Sequence, residues 1–394
     1  MKVTKKIKIY VDSAQESKLW HISNLLNNLY NCALEQRIEA YKKNKITLSV
    51  FEQKREIPNI REELQEYQLP FARLLHETLL YLDRSYRAFF SRVQNKVDGK
   101  KGFPRFRSFK KFFTMAFEKR NIVIENNIFY YKFGIKSKEK PLKLKMSEKP
   151  PIGYGMAYLS HNNNGFFLSF SYDKPEKKII KNNDVIAIDL GIKRMATAAS
   201  TIQKKFFSKS ISKNQMYFSK ISDIIRSIRD KKKKGSNRWK YYTDKLSRIY
   251  QLKKNKSEDF LHKLSHKLTN KFVERTIVCG DLKIKSMVQK NNKQLNRVVQ
   301  NNSLIYNFIQ KLKYKSILYG KELVLINEAY TSKTCSKCGN IKSMSLSQRR
   351  YKCSCCGFEE DRDLNSAINI LNRFLAQPEL LANKIAKNCA HAQD

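Results

Sequence analysis

Carboxylates are the scarce side chains of this sequence. Its 394 residues include 35 Asp and Glu against 79 Lys and Arg, a net charge of +44. Solubility does not require so large an excess of one sign. A polyanion partner does, because each phosphate neutralised by a cation releases condensed counterions. A membrane surface is the other common polyanion, but the chain has no apolar run near the ~18 residues that a spanning helix needs. The opening MKVTKKIKIYVDS alternates apolar and basic residues, so no signal-peptide core is expected there. Internal repeats, long low-complexity linkers and an HExxH pair are also missing. The expectation is a cytoplasmic nucleic-acid binder of roughly two to four domains.

Five of the eight cysteines fall between residues 335 and 356. In a cytoplasmic chain that clustering points to metal rather than disulfides. Cys335-Ser-Lys-Cys338-Gly339 and Cys353-Ser-Cys-Cys356-Gly357 form two CxxC turns separated by 14 residues. Zinc takes four soft ligands in a tetrahedron, and two such knuckles supply them. The glycine after each second cysteine lets the turn close. Cys355, inside the second knuckle, competes as a ligand. A closed four-cysteine set is structural, since catalytic zinc needs an open position.

Residues 6–11 alternate as a half-buried strand does. Ser13-Ala14-Gln15-Glu16 has the form of a capping box. Leu19, Ile22, Leu26, Leu29 and Ala33 then make one apolar helical stripe, and Leu75, Leu79, Leu82, Tyr86, Phe89 and Val93 a second. Residues 13–98 therefore read as a helical module, whose stripes are ordinary bundle core. Residues 99–178 are rich in aromatics, Lys and β-formers, with Gly, Pro and Asn at turns, which predicts an antiparallel barrel or sheet. The first strand joins that sheet, so the helical module is an insertion. Phe103-Pro104-Arg105-Phe106-Arg107 interleaves basic and aromatic residues, as backbone contacts with base stacking would use them. Core aromatics beside solvated arginines give the same pattern.

Beyond residue 179, Asp184–Gly191 predicts a buried strand ending in Asp189. A Lys-rich, mostly helical stretch covers about 210–270, and TIVCGDLKI (276–284) is a second strand, ending in Gly280-Asp281. A helix is expected over 305–318 and a third strand over 321–326. After the second knuckle, Asp363 stands at the start of a helix spanning 364–374. An isolated Asp there would be a helix cap. Here Asp189 at a strand tip can converge with it. Two-metal phosphodiester chemistry holds Mg²⁺ ions ~3.5–4 Å apart with clustered carboxylates, which takes three or four of them. The third should come from the neighbouring strand, at Gly280-Asp281.

Asp189-Leu190-Gly191-Ile192-Lys193, Asp259-Phe260-Leu261-His262-Lys263-Leu264-Ser265, Tyr330-Thr331-Ser332-Lys333-Thr334-Cys335 with both knuckles, and Asp361-Arg362-Asp363-Leu364-Asn365 occur in the order found in TnpB. The chain resembles that family of transposon-encoded RNA-guided nucleases, akin to compact type V CRISPR effectors, and Phe103-Pro104-Arg105-Phe106 matches as well. The resemblance implies an α+β multidomain protein. A wedge-type β-barrel (1–12 and 99–178) is interrupted by a helical recognition module (13–98). An RNase H-like RuvC domain (179–330 and 358–374) carries a zinc finger (331–357), and a tail covers 375–394.

Its implied partners are a guide RNA and double-stranded DNA that pairs with it, with no membrane role. Its cofactors are structural Zn²⁺ and Mg²⁺ at the RuvC carboxylates. Nucleic-acid contacts are expected from Phe103, Arg105, Arg107, Lys193, His262 and Lys263. Such a protein works in the bacterial cytoplasm at the nucleoid.

The family's catalytic triad is Asp, Glu, Asp. Its first member falls on Asp189 and its third on Asp363, but the Glu position falls on Gly280, while Asp281 matches a non-catalytic neighbour. Successive strand side chains point to opposite faces, so Asp281 faces away from the site. Asp361 is already the first Asp of the family's Asp-Arg-Asp. The departure implies vestigial catalytic carboxylates, weakly held Mg²⁺ and a nuclease-dead, TnpB-like repressor that acts by occupying its target. The alternative is an active endonuclease using Asp189, Asp363 and a recruited carboxylate.

Overall fold

The computed structural model describes residues 1–95, 102–191, 194–210, 212–281, 303–345 and 348–377. The chain divides into two units, Met1–Lys174 and Pro175–Asp394. Lys193 and residues 378–394 of the expected tail lie outside the described residues.

The first unit runs β1 (Lys2–Tyr10), α1 (Ser13–Asn44), α2 (Val50–Arg55), α3 (Ile57–Glu63), α4 (Ala72–Gln94), β2 (Met115–Glu118), β3 (Val123–Glu125), β4 (Ile128–Tyr131), β5 (Leu142–Met146), β6 (Tyr154–Asn162) and β7 (Gly165–Asp173). One seven-stranded sheet has the order β2-β6-β7-β1-β5-β4-β3. β1 lies in its middle, antiparallel to both β7 and β5. Its alternation resolves into buried Ile7 and Ile9 and exposed Lys6 and Lys8. Among the described residues the outer strands β2 and β3 do not pair, so the expected barrel is a half-barrel.

The first helical stripe is buried throughout, from Leu19 to Ala33. The helix cap sits one residue earlier than the sequence suggested. Asp12 Oδ1 accepts from the Gln15 backbone N–H at 2.8 Å, and Gln15 Oε1 accepts from the Asp12 N–H at 3.2 Å. Asp and Ser both suit an N-cap, and the backbone is extended at Asp12 (φ −84°, ψ 173°), so Asp12 takes the place of Ser13.

The second unit runs β8 (Val185–Asp189), β9 (Thr197–Ser200), β10 (Lys205–Phe207), α5 (Ser212–Asp230), α6 (Asn237–His266), β11 (Thr276–Gly280), α7 (Ser303–Leu318), β12 (Glu322–Ile326), β13 (Arg350–Lys352), β14 (Glu359–Asp361) and α8 (Arg362–Leu375). Its main sheet has the order β10-β9-β8-β11-β12. β10, β9 and β8 are antiparallel, and β8, β11 and β12 parallel. This is the mixed sheet of an RNase H-like α/β domain. The three parallel strands are short apolar runs because helices cover both their faces. β13 and β14 form a separate hairpin whose connection carries the second knuckle, Cys353 to Cys356, and β14 leads directly into α8.

Candidate functional site

The period of two along the parallel strands decides which side chains share a face. Val185, Ala187, Val278, Val324 and Ile326 cluster with Ile370, Leu371 and Phe374 of α8. Ile186, Ile188, Ile277 and Cys279 join the opposite cluster, with Leu261 and Leu264 of α6 and Phe308 and Leu312 of α7. Asp189 and Gly280, one step beyond the paired Ile188 and Cys279, therefore lie on the α8 side. Asp281 has the other parity, and it is exposed. Its backbone N–H donates to the Ile326 carbonyl at 2.7 Å.

α8 brings Asp363 to the same face. The capping duty at its start falls to Asp361, whose Oδ1 accepts from the N–H groups of Asp363 (3.0 Å) and Leu364 (3.3 Å). That leaves the Asp363 carboxylate outside the cap, flanked by Arg194 Nη1 at 3.9 Å and Arg349 Nη1 at 3.8 Å. One turn along α8, Ser366 Oγ donates to Asp189 Oδ1 at 2.7 Å. Burial pushes the Asp189 carboxyl up to about 7; the Ser366 bond opposes that rise and the Asp363 charge adds to it.

The place beside Gly280 is not empty. A Cβ built there would overlap Glu328 Oε2, and would stand 2.8 Å from Glu328 Cδ and 2.9 Å from its Cβ. Glu328 lies two residues beyond Ile326, the β12 residue paired with Gly280. Its Oε2 is buried and has no hydrogen-bond partner. Burial raises the Glu328 carboxyl to about 7, with Asp189 and Asp281 pushing the same way. Thr331 fixes the backbone here: its N–H (3.2 Å) and Oγ1 (2.9 Å) both donate to the Glu328 carbonyl. Thr331 Oγ1 also lies 3.0 Å from Ser366 Oγ. The Thr331 and Ser366 hydroxyls thus stand in contact between the Glu328 backbone carbonyl and the Asp189 carboxylate.

These donors are hard carboxylate oxygens, which suit Mg²⁺. The buried, unpartnered Glu328 oxygen beside Asp189 fits a cation. The carboxylates are not drawn to single-ion dimensions. Among the described residues only Cys335, Cys338, Cys353 and Cys356 are, with all four sulfurs within 4.8 Å of one another. Cys335 and Cys356 Sγ are 3.7 Å apart, Cys338 and Cys353 Sγ 3.5 Å. A tetrahedron with zinc–sulfur bonds of ~2.3 Å sets sulfur–sulfur separations of about 3.8 Å. Gly339 and Gly357 take left-handed φ of 76° and 67°, as closing knuckles require. Cys355 stays outside the set. Its N–H, with that of Cys356, donates to Cys353 Sγ (3.4 and 3.5 Å), which favours the thiolate.

The knuckles are tied to the carboxylate helix. Asn365 Oδ1 accepts from the Ser336 N–H at 3.0 Å, and its Nδ2 donates to the Thr334 carbonyl at 2.8 Å. Asn369 Nδ2 donates to the Thr331 and Thr334 carbonyls at 2.8 and 2.7 Å. Glu328, Ser366 and Asn369 were not singled out from sequence, and Thr331 and Asn365 were named there only as members of motifs, without a role. The signal for Glu328 was there: it lies two residues past the third strand, with the parity of Val324 and Ile326.

The expected nucleic-acid residues differ in their surroundings. Phe103 is 45 % exposed and packs edge-on against Tyr86 (5.5 Å) and Phe89 (5.2 Å) of α4. Arg105 is exposed. Arg107 turns inward: its N–H and Nε donate to Asn31 Oδ1 (2.7 Å) and Asn27 Oδ1 (3.1 Å), and its guanidinium lies 4.4 Å from the Phe113 ring centre. Lys263 is exposed and pairs with Asp259 at 2.8 Å. His262 Nδ1 lies 3.5 Å from Tyr314 Oη, and His266 Nδ1 3.0 Å from Tyr319 Oη. Neither histidine belongs to a metal-like cluster among the described residues. No helix among them is long and apolar enough to cross a membrane.

Comparison with known families matches three segments. Residues 169–291 match a probable transposase family (OrfB of IS605), and residues 306–370 the TNB domain of Cas12f1-like proteins. Residues 1–45 match the helix-turn-helix domain of OrfB from IS605, although the structure forms that stretch into β1 and one 32-residue helix, α1. TnpB-like protein L79 of Acanthamoeba polyphaga mimivirus is 33% identical over 205 residues, 50% of this chain and 38% of that protein. The chain thus aligns with well under half the length of that relative. A putative RNA-guided DNA endonuclease of Streptomyces pristinaespiralis is 26% identical over 379 residues, 94% of this chain and 89% of that protein. In the solved complex of Cas12f1 with its guide RNA and target DNA, the Cas12f1 chain shares the fold. Its TM-score is 0.60 at 16% identity, covering 90% of this chain and 82% of that one.

Proposed function

The chain belongs to the TnpB family, and on that premise we propose that it is an RNA-guided DNA endonuclease. A guide RNA supplies sequence specificity by pairing, and the basic protein holds the heteroduplex through its backbone. The +44 charge supports that role, as do the RNA-guided endonuclease named among its relatives and the Cas12f1 chain of like fold in a guide–target complex. The observation that carries the reading is that α8, whose first turn bears Asp363, packs on β8 and joins its end through Ser366 Oγ, 2.7 Å from Asp189 Oδ1, with the Asp363 charge acting on Asp189.

Asp189 and Asp363 would hold Mg²⁺. When bound, such ions activate water and stabilise the leaving oxygen of a phosphodiester. Ser366 fixes the orientation of the Asp189 carboxylate. Asp361 closes the start of α8 and so frees Asp363. The four cysteines would hold structural zinc, and through Asn365 and Asn369 that knuckle steadies α8.

A second reading is favoured by the glycine at position 280. The protein then occupies its target without cutting and represses transcription there. One experiment separates the two. RNA that co-purifies with the full-length protein is sequenced, and the complex is given matched or mismatched duplex DNA with Mg²⁺. Cutting confined to matched DNA supports the endonuclease. Retention of matched DNA uncut supports the repressor, and no preference for matched DNA overturns both.

A further inference from the structure

The strand end that lacks a carboxylate and the carboxylate that lacks a partner occupy the same space. Glu328 Oε2 stands where a Cβ of residue 280 would be, with Glu328 Cδ and Cβ at 2.8 and 2.9 Å from that point, so a side chain at 280 requires Glu328 to move. Gly280 sits on β11, whereas Glu328 follows β12 on the neighbouring register line through Ile326. A buried carboxylate oxygen without a donor is costly, and either protonation or a bound cation relieves that cost. Yet the segment is not loose. Both Thr331 donors hold the Glu328 carbonyl, and the same hydroxyl lies 3.0 Å from Ser366 Oγ, the donor to Asp189. The backbone of the fill-in carboxylate is therefore braced against the groups that orient Asp189.

We infer that Glu328 is the third metal-binding carboxylate of the site, delivered from the end of β12 in place of a strand-end Glu at position 280. For its biological meaning this rests on the endonuclease reading. The ligand class is a divalent cation with hard-oxygen preference, Mg²⁺ or Mn²⁺. Glycine at 280 is then a steric requirement of the relocated carboxylate and no longer the mark of a lost activity. It follows that restoring Glu at 280 alone does not repair the site, because two side chains would compete for one volume.

The test uses the full-length, zinc-loaded protein and Mn²⁺ as probe. Mn²⁺ affinity is measured by titration calorimetry for wild type, Glu328→Gln, Gly280→Glu and the double variant Gly280→Glu/Glu328→Ala, each with its thermal midpoint. Glu328→Gln is expected to weaken Mn²⁺ binding by about tenfold or more, at least the loss seen when a supporting group of a metal site is removed. Gly280→Glu is expected to lower the thermal midpoint. The double variant is expected to regain both midpoint and Mn²⁺ affinity.

Unchanged Mn²⁺ affinity in Glu328→Gln overturns the inference, and so does a Gly280→Glu variant that is stable and binds Mn²⁺ more tightly than wild type. Should Glu328→Gln fail to fold, the double variant decides, and weak Mn²⁺ binding there also counts against it. Guide-dependent retention of matched DNA by wild type is scored separately. Its absence removes the endonuclease reading while the Mn²⁺ series still judges Glu328. Retention together with an indifferent Glu328→Gln removes Glu328 and leaves guided recognition standing.

Discussion

The second unit carries two candidate metal sites built in opposite ways. The four cysteines come as two local turns, each closed by its own glycine, with sulfurs already within 4.8 Å of one another. The carboxylates come from the tip of β8, the residues beyond β12 and the first turn of α8. They share a face only because three parallel strands are in register under one helix. A site made of local turns can tolerate change elsewhere. A site assembled from strand tips depends on every register that feeds it, but it can also recruit a ligand from a neighbouring strand.

The largest expected effect breaks the cysteine site itself. Cys353→Ser, or removal of the metal by a chelator, should unfold residues 331–357, since structural zinc contributes about 10–16 kcal/mol in small zinc domains. Zinc content and thermal unfolding measure it. If the two sites were independent, Mn²⁺ binding at the carboxylates would survive. Because Asn365 and Asn369 tie the knuckle to α8, Mn²⁺ affinity is expected to fall as well.

A smaller change sharpens the same point. Asn365→Ala leaves all ligands in place but removes both bonds between a fully buried amide and the knuckle. Leaving those groups unpaired should cost about 1–3 kcal/mol of stability. Denaturant unfolding would detect it, with zinc content unchanged.

The smallest effect concerns Ser366. Its bond to Asp189 counteracts the burial that raises that carboxyl to about 7, so Ser366→Ala should move the midpoint of pH-dependent Mn²⁺ binding upward. The stability effect has the opposite slope. A carboxyl whose folded value lies above its ordinary 3.8 contributes stability at acid pH, and that contribution is lost as pH rises through about 7. Glu328, also raised to about 7, acts in the same direction. In metal-free protein the thermal midpoint should therefore fall across this range, and Mn²⁺ should recover it most at the alkaline end.

Much of the fold was legible because its signals are periodic. Ile7 and Ile9 alternate with lysines, Leu19 to Ala33 repeat at helical spacing, and the apolar runs at 185–188, 277–279 and 323–326 are short enough to be strands. The cap of α1 was misplaced by one residue because Asp12 and Ser13 both suit that position, and only the backbone decides between them. The sequence left barrel and sheet both open for residues 99–178, and the structure forms a half-barrel, because strand closure is a long-range pairing. Asp189 and Asp363 were recognisable from their motifs, and the wrong facing of Asp281 followed from strand parity. Glu328 was passed over because its parity with Val324 and Ile326, beyond the end of the strand, does not say which neighbouring strand end it stands beside.

By itself the sequence determined what is local or additive: the basic charge, the strand and helix periods, the two knuckles with their glycines, and the order of motifs. Tertiary structure alone decided which side chain stands beside Gly280. That choice depends on the alignment of β11 with β12 and on the volume left when a strand residue has no Cβ. Neither is encoded within a contiguous stretch of chain, because atoms far apart in sequence fix both through packing and backbone pairing.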